Sequence, residues 1–399
     1  MLITFPRFIA FLSFLSCGAI AYGRVLPRVT SGTLVVDDST GVELAYLDSG
    51  APSSNAATYT TIFTVHGMIF TNKIFEKILE IAPSKGVRLV AVQRRPFPGS
   101  TPFTPEELQI TLTGGSSDEE RAAYAEARGH ELANFIDRFI QQFQLPAITA
   151  NGQGGSVVWG WSIGALLPVW AIGNAKTLPA DVQTRLGANL RSLILYEMAP
   201  LVLGLPMPPQ NWSPLVDESV VENRRLQLFA QWSTGYFTHN DTSFSLETPH
   251  DPELLEWVLH TPTVVPTVYN IPVAEFNNIA SFGDDAQTDL PILFFFAKDL
   301  KNAFDNSFKD QETASIFPKM KRGIMQGSLG PAFGAAGVWA VQDEVANSPI
   351  EVSYQIVDGG NHYVSPDPFL HLSSPESDSV LQFIWDNPEK TLAALLNIA

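Results

Sequence analysis

Apolar runs of strand length alternate along this chain of 399 residues with amphipathic helical patterns. Such alternation predicts an α/β protein with a parallel sheet covered on both faces, because each crossover between parallel strands lays a helix against the sheet. Eight runs have strand character: Thr33–Val36, Glu43–Leu47, Thr61–Val65, Val87–Val92, Ser156–Trp161, Ser192–Tyr196, Pro291–Ala297 and Glu351–Val357.

The clearest helical pattern covers Ser117–Gln144. Ser117 can cap this helix, acidic residues occupy its first turn, and apolar residues recur at spacings of three and four. Further helices are predicted over Lys73–Ala82, Ile163–Ile172 and Ser377–Trp385.

The alternation is interrupted between Leu201 and Asp289. This stretch is rich in proline and aromatic residues, with helical pieces around Glu218–Ser233 and Pro252–His260. An insertion of this size between two strands is typical of a lid or cap domain. We therefore expect a core formed by residues 24–200 and 290–399 and a cap formed by residues 201–289.

Acidic residues outnumber basic ones, with 41 Asp and Glu against 24 Lys and Arg and a formal net charge of −17. A surface of this sign repels phosphate backbones, so nucleic acid is not an expected partner. Hydrophobic residues make up 45% of the chain, which excludes an intrinsically disordered protein and indicates a globular one.

Residues 1–23 have the pattern of a secretory signal peptide, in which Arg7 precedes an apolar run and small residues follow. The run falls short of the roughly 20 residues of a membrane span, so we expect cleavage and secretion, with an uncleaved anchor as the alternative. The only cysteine, Cys17, lies in this segment, which would leave the mature chain without disulfides. Acceptor sequons at Asn211 and Asn240 fit N-glycosylation on this route.

The strongest local motif is G-x-S-x-G at residues 160–164, directly after a predicted strand and before a predicted helix. Glycines two positions either side of Ser162 allow the strand and the helix to approach each other closely. Ser162 is therefore a candidate nucleophile, and the N–H of Ile163 at the helix start is a candidate donor to an oxyanion. Trp161, beside the serine, is a candidate pocket residue or a core residue.

His362 is the candidate base for this serine. It follows a predicted strand near the end of the chain, and the glycines before it permit a loop that brings the imidazole over the end of the sheet. An imidazole there could accept the proton of Ser162 and later donate it to a leaving group.

A second oxyanion donor is expected in the loop after the third strand, where the chain runs into His66 and Gly67. Gly67 allows a turn that would direct the N–H of Met68 or Ile69 at the site. His66 is expected to organise this loop by hydrogen bonding rather than to act as a base.

The serine turn, the histidine loop and the His66-Gly67 turn together resemble the α/β-hydrolase superfamily over nearly the whole mature chain. The resemblance implies an eight-stranded, mostly parallel sheet with a helical cap inserted after strand six, the place of residues 201–289. The loop at residues 93–100 departs from the superfamily pattern, of which it keeps Gly99 and Ser100.

Two carboxylates are candidates for the acid that orients His362. Asp299 follows the predicted seventh strand, where members of the superfamily usually carry the acid, although Ala297 stands where a glycine is expected. Glu197 ends the sixth strand, an alternative position in some members, and has the cleaner context. Both carboxylates remain candidates for the acid that orients His362.

No metal or organic cofactor is expected. The histidines at 239, 250 and 260 lack the spacing of ligands on one helix, and the glycines at 152, 154 and 155 precede a strand instead of following one. The main hypothesis is a secreted serine hydrolase of a small or lipid-like carboxylic ester or lactone. An acyltransferase, cyclase or lyase, or a catalytically silent binding protein, are the alternatives.

Overall fold

The computed structural model of the chain describes residues 29–55, 57–283, 286, 288–362, 385 and 387–399. The expected signal peptide, with Arg7 and Cys17, lies outside the described residues. So does the helix expected over Ser377–Trp385, apart from Trp385.

In the described part of the chain, eight strands form one sheet with the order β1-β2-β4-β3-β5-β6-β7-β8. Strand β2 is antiparallel to β1 and β4, and the other neighbours are parallel. The predicted eight-stranded, mostly parallel sheet is confirmed. The strands are β1 (Thr30–Asp37), β2 (Val42–Asp48), β3 (Thr60–Val65), β4 (Val87–Val92), β5 (Ser156–Trp161), β6 (Leu190–Tyr196), β7 (Lys321–Gly327) and β8 (Val352–Val357).

The prediction of a strand over Pro291–Ala297 is wrong, and the seventh strand is Lys321–Gly327. The run at 291–297 is apolar on every side, a pattern that fits a buried strand and a buried helix equally well. Asp289 begins a helix there, and an acidic residue in the first turn favours that outcome. Strand β7 contains Arg322, two glycines and Gln326, yet it is buried because β6 and β8 flank it on both sides.

Helices cover both faces of the sheet. They are α1 (Glu76–Ile81), α2 (Pro105–Leu112), α3 (Asp118–Phe143), α4 (Leu166–Gly173), α5 (Ala180–Asn189), α6 (Arg225–Ser233), α7 (Val273–Ile279), α8 (Asp289–Phe295), α9 (Ala297–Phe308), α10 (Gln311–Ile316), α11 (Ala332–Val345) and α12 (Pro388–Ile398). Shorter 3-10 turns include Asn72–Phe75, Ala82–Lys85, Ser162–Ala165, Ala175–Thr177, Pro200–Leu203, Glu222–Arg224, Pro252–Leu254 and Thr267–Asn270.

Helix α3 matches the predicted helix within one residue at each end. Ser117 accepts a hydrogen bond from the N–H of Glu120, and the Glu120 side chain accepts from the N–H of Ser117. This reciprocal cap begins the helix at the predicted position because it satisfies two backbone donors that the first turn leaves unpaired.

The core forms on both faces of the sheet from aromatic side chains. On one face, Phe139 of α3 packs edge-on against Phe63 of β3, with ring centroids 5.5 Å apart. On the other face, Phe75 packs against Trp159 of β5 at 5.4 Å. Side chains alternate along a strand, so Trp159 and Trp161 share the second face with the 3-10 turn at Asn72–Phe75.

Between β6 and β7, residues 197–320 form the longest connection in the described sheet; we call it the covering segment. The helix expected over Glu218–Ser233 is shorter, a 3-10 turn at Glu222–Arg224 followed by α6. The helix expected over Pro252–His260 is reduced to the 3-10 turn at Pro252–Leu254. Beyond that turn the Glu256 side chain accepts hydrogen bonds from the N–H groups of Val258 and Leu259, which a helix would pair with its own carbonyls.

Among the described residues, every helix is too short or too polar to cross a bilayer.

Candidate active site

Ser162 lies on a sharp turn between β5 and α4, with a backbone φ of 55°. Side chains other than glycine rarely occupy this left-handed region, so the conformation is strained. Two glycines make the turn possible. A Cβ atom on Gly160 would lie 2.4 Å from Cα of Ala165, and one on Gly164 would lie 2.2 Å from the carbonyl oxygen of His66. The chain therefore forms a strand–serine–helix turn that only this glycine spacing permits.

The loop after β3 runs directly beside Ser162. A Cβ atom on Gly67 would lie 3.0 Å from Cβ of Ser162, so a larger residue would press on the serine. Met68 lines the same pocket as Ser162 and Ile163, and Ile69 has a φ of 71°. The structure thus places the backbone of residues 67–69 next to the 3-10 turn that begins at Ser162.

His66 is fully buried, and both of its ring nitrogens are engaged. The N–H of Arg94 donates to Nε2 at 3.0 Å, so the ring proton lies on Nδ1, which donates to the carbonyl of Gly67 at 3.1 Å. Burial and the charge of Arg94 hold the pKa of His66 well below its usual value of 6.5. A neutral imidazole bonded in this way organises the loop and has no lone pair to offer to Ser162.

His362 and Glu197 are paired at the same edge of the sheet. The imidazole Nδ1 lies 3.3 Å from Oε2 of Glu197, and both side chains are buried. Burial lowers the pKa of His362 to about 3. Burial also raises the pKa of Glu197 well above its usual value, against hydrogen bonds from Gly327 and Gln326. The imidazole is therefore uncharged at neutral pH, which is the form that can accept a proton.

The sheet register explains why these residues meet. Trp161 pairs with Tyr196 across β5 and β6, so Ser162 and Glu197 leave neighbouring parallel strands side by side, and the loop after β8 brings in His362. The strand order, the antiparallel β2 and a serine turn after β5 form the arrangement to which the sequence motifs point. The chain has the α/β-hydrolase fold.

Comparisons with known proteins find matches among solved structures. No protein-family model matches the sequence, and no curated protein matches it significantly. Similar solved structures include an esterase from Exiguobacterium antarcticum, with 15% identity, 83% of this chain and 92% of that chain covered, and a TM-score of 0.44. A bromoperoxidase from Bacillus anthracis is 14% identical over 84% and 93%, with a TM-score of 0.43. An N-acyl homoserine lactonase is 14% identical over 84% and 90%, with a TM-score of 0.41. The reactions named for these proteins are theirs, and likeness at this level says nothing about the reaction of this chain.

Asp299, the other candidate acid of this α/β-hydrolase fold, lies in the first turn of α9. The neighbouring charges are those of Arg121, Asp118 and Lys298, and burial raises the pKa of its carboxyl. The strand expected to deliver Asp299 to the site is a helix, so the carboxylate that contacts His362 is Glu197.

Trp161 has a different position from that of a pocket residue. Its indole Nε1 donates to the carbonyl of His362 at 3.2 Å, and its ring packs 5.3 Å from the imidazole. It is 1% exposed and is not among the described residues that line the pocket at Ser162. Trp161 therefore supports the histidine loop from within the core.

Sequence reasoning missed the glycines that surround the Glu197 carboxylate. A Cβ atom on Gly330 would lie 2.7 Å from Oε1 of Glu197, and one on Gly334 would lie 2.9 Å from Oε2. The N–H of Gly327 donates to Oε1 at 2.5 Å. The signal was present as three glycines in the short stretch 327–334, a density that indicates close approach of another group.

An apolar pocket of about 80 Å³ opens at Ser162. None of the described residues that line it is charged. They are Met68, Ile163, Ala199, Leu201, Val202, Met207, Asn211, Ser213, Leu215, Val216, Phe229, Leu290, Leu293, Phe294 and Phe333, together with Ser162. The covering segment supplies most of these side chains, so it shapes the space next to the serine.

The two sequons occupy different environments. Asn211 and Ser213 line the pocket at Ser162, and Asn211 is partly buried. Asn240 is exposed, with a φ of 50°, in a tight turn closed by hydrogen bonds between the backbones of His239 and Thr242.

In the described part of the chain, no group of three or more His, Asp or Glu side chains could hold a metal ion.

Proposed function

We propose that the protein is a serine hydrolase that cleaves a carboxylic ester or lactone through an acyl-enzyme intermediate. The observation that carries this proposal is the buried pair of His362 and Glu197 at the edge where β5 presents Ser162. An uncharged imidazole held by a carboxylate, at the strand edge that also presents a serine on a strained turn, is the arrangement expected to activate that serine for attack on a carbonyl carbon.

The order of steps follows from the atoms of the site. Nδ1 of His362 faces Glu197, so Nε2 accepts the proton of Ser162 while Oγ attacks the substrate carbonyl. The N–H of Ile163 and that of Met68 or Ile69 stabilise the oxyanion of the tetrahedral intermediate. His362 then protonates the leaving alcohol. Water repeats these steps on the acyl-enzyme and releases the acid.

The pocket indicates the class of substrate. The described part of its lining is mostly apolar and carries no charge, so an ionised group next to the scissile bond would lose its hydration without a charged partner there. We infer an uncharged ester or lactone with a moderately hydrophobic, lipid-like acyl part.

We extend the proposal to the covering segment and to the compartment. Residues 201–289 would act as the cap, since several of its side chains line the pocket. The leader at residues 1–23 would direct secretion, and the exposed Asn240 would then be available for N-glycosylation. A glycan on the second sequon residue, Asn211, would occupy the pocket at Ser162.

A direct test compares the wild type with the Ser162→Ala variant. We expect the wild type to hydrolyse a panel of p-nitrophenyl esters and lactones and to react with a fluorophosphonate at Ser162, as read by mass spectrometry of the labelled peptide. The variant should keep its thermal transition and lose both properties. Turnover that persists in the variant would exclude Ser162 as the nucleophile. An acyl product that contains no oxygen from the solvent would show that the enzyme transfers the acyl group to another acceptor instead of hydrolysing the ester.

A further inference from the structure

Arg94 connects the loop beside the serine to the covering segment. Its side chain is buried and makes four hydrogen bonds, each 2.9 Å long. Nε donates to the carbonyl of His66, and Nη2 donates to the carbonyl of Gly67. Nη1 and Nη2 also donate to the two carboxylate oxygens of Asp289, the first residue of α8.

Such a buried ion pair needs a reason other than stability. Moving two charges from water into the protein interior costs about as much free energy as their mutual attraction provides. Replacement of such a pair by apolar residues of similar volume often leaves the stability of a protein unchanged or increases it. The planar guanidinium, however, can hold two successive carbonyls and a carboxylate at once, which a lysine ammonium cannot do with fixed geometry.

The two carbonyls belong to the peptide groups of the expected oxyanion turn. In a trans peptide the N–H points opposite to the C=O of the same unit, and the carbonyl of Gly67 shares its unit with the N–H of Met68. A cation on the carbonyl therefore fixes the direction of that N–H and strengthens it as a donor, because hydrogen bonds polarise the groups through which they act.

The other side of the turn is also held by the covering segment. The N–H of Ser281 donates to the carbonyl of Ile69 at 2.7 Å, and the N–H of Thr71 donates to the carbonyl of Ile279 at 2.8 Å. Phe70 and Ala280 form an isolated antiparallel bridge between these two bonds. The peptide of Gly67 and Met68 lies outside these contacts, and its carbonyl is held by Arg94 at 2.9 Å together with Nδ1 of His66 at 3.1 Å.

We propose that Arg94, held by Asp289, is a positioning residue that aims and polarises the Met68 N–H at the oxyanion formed on Ser162. The inference rests on the proposed hydrolase function. It adds that the covering segment, through Asp289, takes part in stabilising the transition state as well as in forming the pocket.

The test uses the full chain with the variants Arg94→Met, Arg94→Lys and Asp289→Asn. We expect Arg94→Met to lower kcat for a p-nitrophenyl ester about 10- to 100-fold, with KM changed less than about threefold, because the donor acts on charge that develops in the transition state. Binding of a trifluoromethyl ketone, whose adduct carries an oxyanion, should weaken by the same factor, whereas binding of the matching methyl ketone should not. Arg94→Lys and Asp289→Asn should show smaller losses in the same direction.

Arg88→Met is the matched control. Arg88 forms a second buried, bidentate pair, with Asp48 at 2.9 and 2.5 Å, but it lies near the start of β4, away from the ends of the strands that carry the site. This control should lose thermal stability and keep kcat and the ratio of the two ketone affinities.

Three results would overturn the inference: an unchanged kcat in Arg94→Met, an equal loss in Arg88→Met, or ketone affinities that do not follow kcat. If Arg94→Met does not fold, Arg94→Lys and Asp289→Asn decide by the same two readouts. A wild type without any Ser162-dependent hydrolysis would overturn the proposed function itself, whereas Ser162-dependent hydrolysis that ignores Arg94 would overturn only this inference.

Discussion

Glu197 holds its carboxylate at His362 from an unusual backbone conformation, with a φ of 53°. Its N–H donates to the carbonyl of Met325 at 3.1 Å, and its Oε1 accepts from the N–H of Gly327. Both partners belong to β7, so the neighbouring strand fixes the carboxylate without help from solvent. A carboxylate held in this way gives the imidazole a single orientation.

This geometry predicts unequal effects for the two carboxylates considered from the sequence. Glu197→Gln keeps the volume but removes the partner that fixes the imidazole tautomer, so kcat should fall by about a thousandfold or more. Asp299→Asn should change kcat less than about threefold, because Asp299 is buried in α9 beside Arg121. Steady-state kinetics on both variants checks this, and equal losses would contradict the assignment of Glu197.

The burial of His362 predicts the acid limb of the pH profile. The pKa of His362 is lowered from 6.5 to about 3, so the imidazole stays neutral and competent as a base well below pH 6.5. The acid limb of kcat/KM should therefore lie below pH 6.5, and a limb at or above that value would contradict the role of burial. The same shift destabilises the fold as the pH falls below 6.5, since the unfolded chain then binds a proton that the folded chain does not.

At the scale of elements, the 3-10 turn Ser162–Ala165 packs closely against the loop after β3, and this packing depends on Gly164. Gly164→Ala would place a methyl group 2.2 Å from the carbonyl of His66, so the turn would have to move. We expect a loss of about 1–3 kcal/mol or more in the free energy of unfolding, together with a loss of activity. The matched control is Gly115→Ala, since a Cβ atom there would meet nothing within 4 Å. Thermal denaturation of both variants tests the expectation, and equal stabilities would refute it.

The elements that the sequence predicted well are those whose local signals agree with their surroundings. Helix α3 has a reciprocal cap and a regular spacing of apolar residues, and both are observed in the structure. Strand β7 was missed because its polar and glycine residues are buried only through pairing with β6 and β8, which no local pattern records. The run at 291–297 was misassigned because a uniformly apolar segment has no periodicity to separate strand from helix.

At the scale of the whole molecule, the candidate site also depends on contacts that no local sequence pattern records. Ser162 and His362 could be found because turn chemistry marks each of them in its own stretch of sequence. Arg94 and Asp289 are 195 residues apart, and nothing near either one predicts that they meet. The choice between Glu197 and Asp299 likewise depended on the assembled fold, because the run before Asp299 forms helix α8 instead of a strand and Glu197 contacts His362.

The covering segment starts at Glu197 and passes through Asp289 before it rejoins the sheet, so it is tied to the candidate site at two well-separated residues, through His362 and through Arg94. A segment held at both of these residues cannot move away from the site as one rigid body without breaking the two contacts. Under the proposed function, substrate entry and product release would therefore depend on local motion of the stretch between these two residues, where Val216 and Val221 are exposed.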